Sequence, residues 1–423
     1  MKRILTLCAL ALMVVSCADK GPVAPKEGRQ SIGTVLDQPM TTKDAIKTDK
    51  AQVVQNWVFV NKTATNKRPV AKISGPMNLV RTVSVGKGIN DDYQTLAGPV
   101  VSGDKIYTLD SHFVLQATDL KAGKELWRKP LGEVKGAAAK SIGLAIYHNK
   151  LYVVAGNGLV MALDLSGNPV WTRELKVPLR SVPVADEKRL FVSSIHNELF
   201  ALNTDTGKVL WQYTGERAVT NFFGMGTPAV SGSVVVMPTT SGRVNAFNVV
   251  TGMMLWTEDM WTNKTYNPIL DIPHVTAAPV IENGRVYLVG NAGKTGAYQL
   301  HSGQALFTTG VGGRETPILD GNALFLVNNQ KELMALSKNQ GKVFWQTKLT
   351  AAKDRDNQAV WYGPIGVNNE LIVVSNLGDI VFYDMKNGAE KRREKQKEFV
   401  GAPVVAGNTL LLLATDGSLL FYQ

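Results

Sequence analysis

The chain has 423 residues, 44% of them hydrophobic and 19% charged, which is apolar material for a sizeable core and excludes disorder of the whole chain. Its 39 glycines and 18 prolines point to many turns rather than long helices, and both cysteines, Cys8 and Cys17, lie at the start. Everything after residue 17 therefore folds without a disulfide, a thiolate nucleophile or a Cys-ligated metal, and the formal charge of +11 favours anionic partners only weakly, with no nucleic-acid motif to support it.

In chain order, the first element is a targeting signal. Lys2 and Arg3 precede a mostly apolar stretch, Ile4 to Val15, and the small Ser16. A helix of that length spans roughly 18 Å, short of the ~30 Å hydrocarbon core, which argues against a permanent span. The string Val14-Val15-Ser16-Cys17 resembles the bacterial lipobox, whose cysteine becomes the lipidated first residue of the mature protein. By the same resemblance, Ala18 in place of Asp implies sorting to the outer membrane. Residues 1–16 are thus expected to be a lipoprotein signal peptide, residues 17–50 a solvated, flexible tether, and residues 51–423 the folded domain.

The folded part is an internal repeat. ATDLKAGKELW ends at Trp127, ALDLSGNPVW at Trp171, ALNTDTGKVLW at Trp211, AFNVVTGMMLW at Trp256, AYQLHSGQALF at Phe307 and ALSKNQGKVFW at Trp345, and a decayed copy ends at Arg392. Five of the eight tryptophans occupy this one slot, which chance would not arrange. Each copy follows a short strand of the type AGPVV and a β-rich run of the type KLYVVAGNG, so each unit reads as four strands joined by turns. Units of about 40–50 residues with four strands each are the pattern of propeller blades. In each, the Asp or Asn accepts turn N–H groups, the Gly supplies a positive φ, and the aromatic side chain wedges neighbouring blades together. Seven complete copies run from about residue 97 to 392, and Phe399 to Gln423 supplies only three strands more. The reading is all-β: an eight-bladed propeller of four-stranded antiparallel blades, its ring closed by an N-terminal strand, for which Val53–Val60 with Trp57 is the candidate. Residues 61–96 are then the connection into blade one.

The pattern Ala-x-Asp-x-x-Thr-Gly-Lys-x-x-Trp resembles the tryptophan-docking repeat of pyrroloquinoline-quinone (PQQ) propellers, from residue 53 to 423. That family has an enzyme branch of quinoprotein dehydrogenases and a branch of BamB-type outer-membrane assembly lipoproteins. Length, lipobox, eight units and strand closure resemble the second. The enzymes carry a vicinal Cys–Cys disulfide and a Ca²⁺ site, whereas this chain has no cysteine after 17, and Glu258, Asp259 and Asp271 in its longest insertion bring no oxygen-rich ligand set. His112, His148, His196, His274 and His301 fall in different repeats without metal spacing, so each reads as a turn or surface residue. No nucleophile–base pair, metal site or cofactor is expected, and the alternative class is a PQQ-dependent periplasmic oxidoreductase or quinone-binding sensor.

The resemblance implies a non-enzymatic scaffold of the β-barrel assembly (BAM) complex, anchored by a lipid on Cys17 at the periplasmic face of the outer membrane. Its partners would be the POTRA region of the pore subunit and unfolded outer-membrane proteins. The family's apolar contact maps by blade count onto Phe222 and Phe223, where the family's Arg is missing, with Tyr266 and Ile269 flanking from the next apolar loop. Leu179 and Arg180 form a second candidate pair one blade earlier. The basic run Lys391–Lys397 reads as a solvated edge that blocks strand addition.

Overall fold

The structure, a computed structural model, describes residues 40–90, 96–132, 142–217, 226–261, 273–351 and 353–423. Residues 37–423 make one compact unit. Among the described residues there are thirty-two strands in eight antiparallel four-stranded sheets, and no α-helix. Blade one runs from Ala97–Ser102 to Glu125–Pro130, and blade seven from Trp361–Val367 to Glu390–Lys395.

The sequence of each strand follows its distance from the axis. The second strands are buried beyond their first residue, and Ala323–Val327 (ALFLV) and Thr409–Leu413 (TLLLL) along their whole length, because each blade is sandwiched between two others. They therefore read as continuous apolar runs. The outermost strands alternate instead, as in Glu125–Pro130 and Pro169–Glu174, since one face looks at the next blade and the other at solvent.

The repeat slots behave as their chemistry predicts. Trp127, Trp171, Trp211, Trp256, Phe307 and Trp345 each stand opposite a small Ala on the neighbouring strand. From there the ring reaches the following blade. Trp171 Nε1 donates to Thr204 O at 3.0 Å, Trp211 to Val249 O at 2.9 Å, Trp256 to Leu300 O at 2.8 Å and Trp345 to Met385 O at 3.1 Å. Each ring also lies on the turn glycine of that blade. Gly303 has φ +70°, and a Cβ there would sit 2.7 Å from Trp256 Cγ, so both backbone conformation and contact demand glycine. Asp119, Asp164, Asn203 and Asn248 accept turn N–H groups through their side chains.

Ring closure uses an N-terminal strand, but not the expected one. Leu79–Ser84, not Val53–Val60, pairs antiparallel with the C-terminal strand Ser418–Tyr422 and completes blade eight. Val53–Val60 is instead part of a strap, residues 40–78, that makes a lap of the ring along the turns joining each blade's first two strands. Successive contacts are Gly407 N to Val54 O, Trp57 with Val101, Ile146 N to Val58 O, Val230 N to Ala64 O, Ile281 N to Thr65 O, and Ala71 N to Gly366 O. Asn368 and Asn408 then hold Ile73 and Ser74 back at blades seven and eight. Trp57 belongs to this strap and is fully buried against the blades, which explains why an isolated β-rich segment with a tryptophan looks like a blade strand. Residues 40–50, expected in the tether, already lie on blade six. Thr42 N donates to Val343 O, and Asn322 receives Lys47 N and donates to Ala45 O.

Candidate binding faces and the axial channel

In sequence, Phe222, Phe223, Tyr266 and Ile269 fall in two connections between the last strand of one blade and the first strand of the next, outside the described residues. The second connection begins at Trp261, which is 45% exposed and bridges to Gly293, so an aromatic side chain does stand in solvent at its root. Cys17 is likewise outside the described residues. Leu179 is not available to a partner: its side chain is fully buried in the core beneath blade three, because Leu179 pairs with Ser194 as an extension of the sheet. Arg180, its neighbour, is half-buried, and burial lowers its pKa. His274 also departs from expectation. It is fully enclosed rather than a surface residue, and burial together with the charges of Arg180 and Arg314 lowers its pKa to about 4.

The basic run forms the outer strand of blade seven, and its cations are neutralised in place. Lys391 meets Asp384 at 3.2 Å, Arg393 meets Glu390 at 2.8 Å, Lys395 meets Asp379 at 3.3 Å and Lys397 meets Asp416 at 2.5 Å. Arg392 turns inward and stacks on Phe382 at 3.8 Å. Of the acids assigned to the longest insertion, Glu258 and Asp259 lie on the strand Met254–Asp259 and are paired, with Lys294 at 2.6 Å and Arg243 at 2.9 Å, while Asp271 lies outside the described residues.

On the axis, the first strands of the blades surround a cavity of about 340 Å³. Strap residues Val60, Asn61 and Arg68 lie in its wall, and the charged residues of the described lining are Arg68, Arg314 and Glu315. Neighbouring Asn66 anchors the strap through Nδ2, which donates to Thr227 O, Pro228 O and Pro279 O at 3.0–3.3 Å. Burial raises the Glu315 pKa to about 7, against the opposing pull of the Gly363 N–H, Arg68 and Arg314. Arg68 is lowered to about 10, again by burial, with Glu315 opposing. Sequence reasoning missed these residues, because Arg68 lies in a segment read as a connection and Glu315 in a repeat position read as structural. A metal-bound quinone would need several oxygen ligands on the channel wall. Glu315 is the one carboxylate in the described lining, and no group of three His, Cys, Asp or Glu capable of holding a metal occurs among the described residues. The donor set does not fit that cofactor.

Comparison with known proteins bears on this geometry. The solved structure of BamB from Moraxella catarrhalis superposes with a TM-score of 0.68 at 16% identity, covering 82% of this chain and all of that one. The quinohemoprotein alcohol dehydrogenase of Comamonas testosteroni superposes with a TM-score of 0.67 at 12% identity, over 88% of this chain and 81% of that one, which shows the shared fold. In sequence, the outer membrane protein assembly factor BamB of Yersinia pestis is 24% identical over 361 residues, 83% of this chain and 90% of its own length. The family profile described as outer membrane protein assembly factor BamB matches residues 111–347, more than half of the chain, and on that match this chain belongs to the BamB family.

Proposed function

We propose that the protein is a non-enzymatic propeller subunit of the outer-membrane β-barrel assembly machinery. The observation that carries this reading is the family match across the repeats, on a ring whose described axial wall lacks the ligands for a redox cofactor. In this reading the chain is anchored through a lipid on Cys17 at the periplasmic face of the outer membrane. Its blade-connection face docks the POTRA region of the pore subunit, with Phe222 and Phe223 as anchors, Tyr266 and Ile269 flanking, and Arg180 beside them. Fully desolvated aromatic anchors of this kind dominate interface energies. Catalysis has no part in it: rigidity does, because a ring wedged by aromatic side chains presents loops without reorganising, which keeps the entropic cost of docking low.

The test is co-purification from detergent-solubilised membranes. Phe222→Glu with Phe223→Glu should abolish recovery of the pore subunit while the melting temperature stays unchanged, and unaltered recovery rejects this docking site. Cys17→Ser should release the protein from the membrane fraction. The fold-level likeness to a quinohemoprotein dehydrogenase supports a second reading, a PQQ-dependent oxidoreductase. Added PQQ and Ca²⁺ giving dye reduction would establish that reading, and silence in the assay is the expected result.

A further inference from the structure

The strap passes blade six twice. Residues 40–50 lie on its rim and on its first hairpin turn, and the end of the lap returns there, where Arg68 donates to Thr316 O. The first pass, the arm, is held mostly by polar contacts, because Ile46 is its one large buried side chain. One of those contacts is reciprocal. The Asp49 N–H donates to Asp320 Oδ2 at 3.1 Å, and the Gly321 N–H donates to Asp49 Oδ2 at 3.2 Å. The arm lies directly on that turn, since a Cβ on Gly321 would run into Lys47 O and Thr48 Cα. Asp320 is consequently 3% exposed, a carboxyl enclosed by a segment that few apolar contacts hold in place.

The nearest cations are committed elsewhere. Lys67 and Lys338 each meet Glu282 of blade five at 2.6 Å. Burial would raise the Glu282 pKa, yet hydrogen bonds from Lys338 and Lys67 lower it. The groups facing Asp320 are Asp49 from the arm, Lys67 from the second pass and Lys338 from blade six, with Glu282 beyond the two lysines and Arg285 and Tyr287 beside Glu282. Lys47 and Lys50 flank Asp49 on the arm and are exposed. Burial raises the Asp320 carboxyl to about 6; the Asp49 N–H opposes this, the Asp49 charge adds to it, and Lys338 and Lys67 pull it back.

We propose that Asp49 and Asp320 form a proton-operated latch, which keeps the arm on blade six while the buried carboxyl is protonated and releases it as that carboxyl ionises. Release lets water reach Asp320 and takes the Asp49 charge away, so the Asp320 pKa returns towards its ordinary 3.8. The latched state therefore holds a proton more firmly than the released one. Its stabilisation is complete below about 4 and is lost as pH rises through about 6. Between pH 5 and pH 7.5 the closing equilibrium weakens about ten-fold. Release also frees the Val343 edge of blade six, which Met40 O and the Thr42 N–H otherwise occupy. On the reading that Cys17 carries a lipid, the released arm lengthens the tether by up to roughly 35 Å; the latch itself does not rest on that reading.

The experiment is hydrogen exchange of the full chain at pH 5 and pH 7.5, read by mass spectrometry and corrected for the intrinsic pH dependence of amide exchange. Protection of the arm amides of Thr42, Lys47 and Asp49 should fall about ten-fold, while the inner strands Ala323–Val327 and Glu332–Ser337 of blade six keep theirs. Asp320→Asn should protect the arm equally at both pH values, because an amide accepts the Asp49 N–H and does not ionise. Arm protection that is unchanged with pH in the wild type, a parallel loss in the inner strands, or a pH effect that persists in Asp320→Asn each overturns the latch. Should Asp320→Asn fail to fold, the first two outcomes still decide. Recovery of the pore subunit is read independently, so the latch and the docking face stand or fall separately.

Discussion

Six blades and two blades solve the same packing problem with opposite distributions of bulk. In blades one to six an aromatic ring on the outermost strand covers an Ala on the neighbouring strand and lies on a glycine turn of the next blade. In blades seven and eight the large residue has moved inward. Phe382 and Phe421 replace Ala, and Arg392 and Arg81 replace the tryptophan. The guanidinium keeps both tasks of the indole: its Cζ lies over the phenylalanine ring, at 3.8 Å and 5.7 Å from the centroid, and it donates across the gap between blades. Arg392 reaches Pro76 O and Met77 O, and Arg81 reaches Lys121 O at 2.8 Å. The exchange occurs at the seam where Leu79–Ser84 joins Ser418–Tyr422. There, the outermost strand of blade eight arrives from the strap and not through a hairpin turn. A single indole N–H serves one carbonyl, whereas the Arg392 fork holds two successive carbonyls of the segment that enters blade eight.

The strongest way to break the comparison is to remove the incoming strand. Deletion of Leu79–Ser84 leaves blade eight with three strands and an open apolar edge, and it removes Arg81 with its donation to Lys121 O in blade one. Loss of cooperative melting and recovery in the insoluble fraction are expected. A soluble deletion variant with a native melting profile would mean that the strap alone closes the ring.

Next in size are the aromatic wedges. Trp256 is the most buried tryptophan of the slot, at 8% exposure, and Trp256→Ala should lower the unfolding free energy by about 3–5 kcal/mol, read from the denaturant midpoint. Gly303→Ala attacks the same contact from below, through its positive φ and the 2.7 Å approach to the ring, and should cost about 1–3 kcal/mol.

These wedges were legible in the sequence because a slot repeated six times averages out local accident, and because Trp, Gly and Asp each have a chemistry that suits one position in a turn. Blade number and four-strand units followed from the same regularity. What could not be read were the features that occur once. Val53–Val60 has the composition of a strand and Trp57 the look of a wedge, yet burial beneath a strap demands the same residues as burial in a sheet. Leu79–Ser84, the actual closing strand, alternates with exposed positions and offers no aromatic signal. Leu179 shows the limit at the candidate interface: a Leu-Arg pair has no sign of which residue faces inward until its bridge to Ser194 is seen. Arg68 is one cation among many in the sequence, and only the lap of the strap puts it on the axis.

The seam itself can be sharpened by a double-mutant cycle. Arg392→Lys keeps charge but loses the planar fork, and should cost about 1–2 kcal/mol. Phe382→Ala combined with Arg392→Trp rebuilds the pattern of the other blades, and the pair should be more stable than the sum of the two single changes by about 0.5–3 kcal/mol. Additive effects would show that the positions are independent and that the Arg–Phe pairing is incidental.

The smallest effect concerns the rim outside Arg392. Lys391 and Lys395 sit on the exposed edge strand of blade seven, each about half exposed, and each meets a carboxylate at more than 3 Å. Pairs in that setting contribute about 0–1 kcal/mol, so Lys391→Thr with Lys395→Thr should leave the denaturant midpoint nearly unchanged. The edge is a different matter. An unpaired strand offers a row of N–H and C=O groups to any other strand, and this molecule shows the susceptibility itself where residues 40–42 pair with Val343 on the rim of blade six. Removing the two charges while adding β-forming threonines should therefore raise self-association, measured by light scattering over a concentration series, at almost constant stability. If stability falls and association does not, the lysines hold the blade together rather than keep other strands away.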